Sequence, residues 1–204
     1  MKKKPCSEEL RFLFFDKITL TIKIKTSKIF SMREESKRKM AEAIKNFEMP
    51  RYHKLPSGGL YLEQVTQYIN GVLAPLGCTE LTPSMVSNYV KKGIISGPVK
   101  RLYYTDQIAY LMFIAVAKTV LSMEQIMLLC EVQKVSYTEE VAYNYYCDEL
   151  ENMLYYVFGV KNTVEEVGVT TSDAKMMFRD MIIAAATRTH LISCLNAVQK
   201  EKEE

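Results

Sequence analysis

The chain has 204 residues, nearly half of them apolar and a quarter charged, with a formal net charge of +3. That composition can bury a core and leaves room for one DNA-binding-sized domain plus a helical partner region. It argues against an exported disulfide scaffold: Cys6, Cys78, Cys130, Cys147 and Cys194 are odd in number, scattered and without a CxxC pair, so free thiols in a reducing, cytoplasmic setting are expected.

At the N-terminus, Met1-Lys2-Lys3-Lys4 followed by Leu10 to Phe15 imitates a secretory signal, but Glu8, Glu9, Arg11 and Asp16 interrupt it and no small-residue cleavage site follows. Residues 1–31 read as a non-native or disordered extension. Thr19 to Lys25 alternates like a two-sided strand with nothing to pair with, and Met32 reads as the true start. The functional alternative is a basic arm that tracks a DNA backbone. Residues 32–54 are expected to form a charged helix, Arg33 to Phe47, and a linker in which His53 lies on an exposed loop.

Residues 55–134 carry the most informative pattern. A first helix is expected from Leu60 to Leu73, followed by a linker containing Pro75 and Gly77. Thr82 is an N-cap residue, and Pro83 takes the first helical position, where a missing N–H costs nothing. Met85, Val86, Tyr89 and Val90 recur at helical spacing, which leaves Ser84, Ser87, Asn88, Lys91 and Lys92 on a polar face without an acid. Gly93 suits a left-handed C-cap. Ile94 and Ile95 then start an extended segment that Gly97 and Pro98 turn back, and the return strand is expected over Lys100 to Tyr104. Thr105 and Asp106 supply a cap and a first-turn acid for a helix with Ile108, Leu111, Met112, Ala115 and Val116 as its core stripe. Ser122 and Gln125 make a capping box for the next. The sum is a mainly α protein with a winged helix-turn-helix, a small β wing and a C-terminal helical region.

That C-terminal region, residues 135–204, begins with a helix capped by Thr138 that runs from Glu139 to Phe158 and ends at Gly159. A last helix is expected from about Asp173 to Lys200. Its Met177, Met181, Ala184, Leu191, Leu195 and Val198 follow an alternating three-four spacing with Arg188 as the one polar member of the series, and the reading favoured is a dimer interface over a helix in the monomer's own core. No long uncharged apolar run is present, so no transmembrane helix is expected. Charge is polarised along the chain: residues 1–40 carry 12 Lys/Arg against 5 Asp/Glu, and residues 120–170 carry 2 against 9. The acidic part is unsuited to touching phosphate, whereas Thr82 to Tyr104 holds four cations and no acid.

From Ser84 onward the pattern resembles the DNA-binding domain of the MerR family of bacterial regulators. Lys91-Lys92-Gly93-Ile94 matches the end of that family's recognition helix, Arg101-Leu102-Tyr103 its wing strand, and Leu121 to Ile126 the start of its next helix. Ser87 stands where the family usually has arginine, and the wing is short. The segment from Arg51 to Gln133 resembles more closely a DUF1836-type, MerR-related bacterial family of unknown function, whose opening is similar to Leu55-Pro56 and Leu60 to Val65. The resemblance implies duplex DNA binding and dimerisation through helices that follow the reader.

No motif for catalysis is present: there is no GxSxG, GxxxxGK[ST] or HExxH, and the two histidines are far apart. No cofactor is called for. His190 and Cys194, four apart on one helix, can hold a metal that Cys130 and Cys147 could in principle join, but nothing in the sequence fixes the four in one place, and no metal site is assigned. The expected function is that of a transcriptional regulator binding double-stranded DNA as a homodimer. Ser84, Ser87 and Asn88 are the candidates for base edges, and Lys91 and Lys92 for the end of the reader helix at phosphate. Lys100, Arg101 and Tyr103 of the wing would grip the backbone or minor groove. The competing reading is a winged-helix module that binds another regulatory protein.

Overall fold

Every regular element in the computed structural model, which describes residues 31–168 and 172–203, is helical. The N-terminal extension and the alternating segment Thr19 to Lys25 expected from the sequence lie, apart from Ser31, outside the described residues. In chain order the helices are α1 (Glu34–Lys45), α2 (Leu62–Leu73), α3 (Pro83–Lys91), α4 (Thr105–Ala117), α5 (Met123–Ser136), α6 (Glu139–Val157) and α7 (Asp173–Glu203), with 3₁₀ turns at Tyr52–Lys54 and Ala74–Leu76.

Local chemistry sets most of the helix starts. Thr82 Oγ1 accepts the Met85 N–H at 3.2 Å, and Thr138 Oγ1 accepts the Val141 N–H at 3.4 Å. Ser122 and Gln125 form a reciprocal box, with the Gln125 N–H on Ser122 Oγ at 3.3 Å and the Ser122 N–H on Gln125 Oε1 at 2.9 Å. α4 starts one residue earlier than its sequence predicts. Tyr104 is the N-cap and its N–H donates to Gln107 Oε1 at 2.9 Å, so Thr105 is the first helical residue instead of the cap.

The centre of the molecule is α4. Its sequence is apolar on all sides, and Ile108, Leu111, Met112, Ile114, Ala115 and Ala117 are fully or almost fully buried. It packs against α2 on one side and α6 and α7 on the other. α6 and α7 pair most extensively, burying Tyr146, Leu150 and Leu154 from one and Phe178, Ile182 and Ala185 from the other. Each such aliphatic side chain contributes roughly 1.5–3 kcal/mol. Arg51 ties the segment after α1 to α6. Its guanidinium meets Glu151 through two bonds at 2.6 and 2.8 Å, Asp148 at 2.7 Å and the Met49 carbonyl at 2.8 Å. Glu151 also accepts the Met49 N–H at 2.6 Å.

The β wing expected from the sequence is absent: among the described residues there is no strand, only single bridges Leu60↔Tyr103 and Val99↔Leu102. The side chain of Gln107 holds this stretch instead: its Nε2 donates to the carbonyls of Ser96 and Gly97 at 2.9 and 2.8 Å, and Pro98 has no N–H to offer a ladder. The turn falls at Lys100–Arg101, not at Gly97–Pro98, closed by mutual Val99 and Leu102 bonds of 3.0 and 2.9 Å. α7 faces inward through Ala174, Phe178, Met181, Ile182, Ala185 and Thr189. Of the expected stripe only Met181 is buried, while Met177, Ala184, Leu191 and Leu195 are exposed. By length and composition alone α7 is also apolar enough to cross a membrane, with mean hydropathy 1.3 over its most apolar window, of which 28% is buried.

Candidate nucleic-acid interface

The candidate surface is built on α3 and what holds it. Val86 and Tyr89 are buried and anchor the helix, with Met85 and Val90 half-buried beside them. Ser84, Ser87, Asn88 and Lys91 stand at i, i+3, i+4 and i+7, so they share one face, and all four are exposed. Gly93 follows in the left-handed region (φ 70°) and ends the helix, its neighbours Ile94 and Ile95 turning into the core.

The linker between α2 and α3 is longer than a tight helix-turn-helix turn, but Asn70 pins it. Asn70 Nδ2 donates to the Leu81 carbonyl at 2.9 Å, and the Leu81 N–H donates back to Asn70 Oδ1 at 2.8 Å. One side chain therefore satisfies both backbone groups of the residue just before the Thr82 cap. The polar face of α3 is oriented by this clamp together with the packing of α2 on α3.

Beyond α3 the chain runs past Val90, whose Cγ1 would lie 3.6 Å from a Cβ placed on Gly97, to the turn at Lys100 and Arg101. Both cations have positive φ, 49° and 68°, as the centre of a two-residue hairpin turn of the primed type requires. Side-chain-bearing residues occupy that region at a cost of about 1–2 kcal/mol each. The turn is seated by Leu60 and Tyr103, which exchange two backbone bonds of 2.9 Å. Gly59 makes the approach possible, since a Cβ there would lie 3.0 Å from Leu102 Cβ.

Of the eight residues the sequence singles out, seven are exposed: Ser84, Ser87, Asn88, Lys91, Lys92, Lys100 and Arg101. Tyr103 is the exception. It is 3 % exposed and belongs to the core, so its proposed grip on a backbone or groove is withdrawn. Among the described residues none of Lys91, Lys92, Lys100 and Arg101 has a carboxylate within 4 Å. Lys92 is the least independent of them. The carboxyl of Glu124 is held below the usual range by its own backbone N–H and by Ser122, with Lys92 as a further contributor.

Asn70 and Gln107 are the positioning residues that sequence reasoning missed. Each reaches backbone ten or eleven residues away, and no local spacing announces it. The one metal candidate is incomplete. Cys194 Sγ lies 3.5 Å from His190 Nε2, and Phe158 sits edge-on to the imidazole at 5.0 Å. Among the described residues no group of three or more His, Cys, Asp or Glu converges.

With this geometry in place, one comparison is informative. Residues 50–149 match a family model described as a domain of unknown function, DUF1836. No curated protein and no solved structure matches the chain. The DUF1836 segment begins beside Arg51, contains α2 through α5, and ends inside α6 just after Asp148, so the Arg51–Asp148 pair joins its two ends. Nothing in the match speaks of MerR regulators.

Proposed function

We propose that this chain is a sequence-specific double-stranded DNA-binding regulator, acting in the cytoplasm as a homodimer. The observation that carries the reading is the face of α3: three short polar side chains and Lys91 in one exposed row, acid-free, on a helix fixed from behind by Val86, Tyr89 and the Asn70 clamp. Such a face suits a major groove, where Asn88 has the amide geometry for adenine and Ser84 and Ser87 are short enough to let the helix approach. Lys100 and Arg101, presented on a tight turn, and Lys91 are placed as phosphate contacts, which set register without reading sequence.

The homodimer is supported by α7. Met177, Leu191 and Leu195 are 47, 54 and 55 % exposed and belong to the three-four row that also takes in buried Met181, exposed Ala184 and exposed Arg188. A second copy of the same helix is the partner that repeats this spacing, and two readers related by a two-fold axis match two half-sites.

Lys91→Ala and Arg101→Ala should weaken binding to all duplexes about equally and each lower the salt slope by about 1. Asn88→Ala should relax preference at particular base pairs, at a cost of about 1–3 kcal/mol there. Equal losses on every sequence for all three would refute this division of roles. A folded dimer with no salt-dependent duplex binding would favour a protein partner instead. For the dimer, Leu191→Glu should yield monomers by light scattering, and an unchanged mass would refute the α7 interface.

A further inference from the structure

We infer that the outward face of the Leu60–Tyr103 bridge, which carries Tyr61 and Tyr104 beside the Lys100–Arg101 turn, is a second contact surface for duplex DNA, on which the two tyrosine hydroxyls donate to phosphates. This rests on the duplex-binding reading above and adds two residues to it. Pairing sets the register. Leu60 and Tyr103 stand opposite each other in an antiparallel bridge and both pack into the core, so their chain neighbours point the other way. Tyr61 and Tyr104 have extended backbone, with ψ of 159° and −179°, which carries that alternation through them. Their side chains are accordingly open to solvent, at 54 and 36 % exposure. The sequence reading puts a tyrosine contact at Tyr103; the register moves it one residue on, to Tyr104, and brings in Tyr61 from across the bridge.

Folding does not call for a tyrosine at either position. Both are helix N-caps, where short oxygen-bearing side chains are favoured, and neither tyrosine makes a side-chain cap bond. Gln64 and Gln107 accept the two N-cap N–H groups instead, at 2.9 Å each. The Tyr104 ring lies over Gly59, where an added Cβ would be 3.1 Å from Cε1 and 3.3 Å from Cζ. A ring ordered in this way loses little side-chain entropy when its hydroxyl meets a partner. Charge selects an anionic one. Lys100 and Arg101 are the exposed centre of the adjoining turn. The acids nearest in sequence, Glu63 and Asp106, follow the tyrosines by two residues, a spacing that does not place side chains on one side of a helix, and Asp106 accepts the hydroxyl of Tyr52.

Phosphate contacts do not read sequence, so the probe is a fluorescently labelled duplex of mixed sequence, titrated with the full chain at several salt concentrations. Tyr61→Phe and Tyr104→Phe keep the ring and remove the hydroxyl. Each should weaken binding roughly three- to tenfold while circular dichroism and thermal melting are retained. A neutral donor displaces no counterion, so the salt slope of both variants should equal that of the unmutated chain, whereas Arg101→Ala lowers it by about 1. In the unmutated chain, saturating duplex should slow nitration of both rings by tetranitromethane. Unaltered affinity in either Phe variant, a salt slope that falls in either, or unslowed nitration at either ring would overturn this surface and leave the α3 reading standing. An unmutated chain that binds no duplex would overturn both.

Discussion

Replacing Asn70 by alanine tests whether one side chain holds the reader helix. The substitution removes the donor to the Leu81 carbonyl and the acceptor for the Leu81 N–H, and Leu81 itself is 2 % exposed. A hydrogen bond lost with its partner left unsatisfied costs about 1–3 kcal/mol. Asn70 is half-buried, so water can reach part of the site, and two bonds together should cost roughly 2–3 kcal/mol. For a chain of this size 1 kcal/mol moves the midpoint by about 2–4 °C, so a drop of roughly 4–12 °C is expected by thermal melting. Asn70→Asp provides a sharper control. It keeps the acceptor but sets a carboxylate against the Leu81 carbonyl, so it should be at least as damaging at neutral pH and recover in part as the carboxyl protonates. A midpoint unchanged within about 2 °C for Asn70→Ala would refute the clamp.

Arg51→Ala should destabilise by about 2–4 kcal/mol in urea titration, because it strands Glu151 at 11 % exposure, whereas the paired change Arg51→Met with Glu151→Met should lose much less. A paired loss as large as the single one would show that the ion pair is not the cause. At the turn, K100N with R101G places residues suited to positive φ at both centres, so stability should rise by about 1–2 kcal/mol while duplex affinity falls. If both rose together, the cations would have no part in binding. Burial lowers the pKa of His190 from its usual value. The unfolded chain therefore takes up the proton first, so this contribution to stability is present above the unfolded pKa near 6.5 and declines as pH falls through it toward the lower folded value. His190→Gln should flatten the pH dependence between about 7 and 5, and an unaltered slope would assign it elsewhere.

The parts of this fold that depend on neighbouring residues were readable from the chain alone. Thr82 with Pro83, Ser122 with Gln125, Thr138, Gly93 and Gly159 mark helix ends because capping acts within one turn. The exposed row of α3 follows equally from spacing. What depends on distant groups was not readable. Extended-looking residues 99 to 104 form only single bridges, and the amide of Gln107 that takes the carbonyls of Ser96 and Gly97 comes from ten and eleven residues away. Tyr103 is buried because its backbone pairs with Leu60, more than forty residues earlier. The inner face of α7 was ambiguous for a different reason. Met181 to Ala186 is apolar all round, so periodicity there selects no direction, and α6 does.

Selection from a random duplex library at two salt concentrations, followed by sequencing of the retained DNA, tests the central claim most directly. The α3 reading predicts an enriched inverted repeat, with binding that falls steeply as salt rises and enrichment that weakens at defined positions in Asn88→Ala. A folded chain that retains no duplex above background at either salt concentration would contradict it.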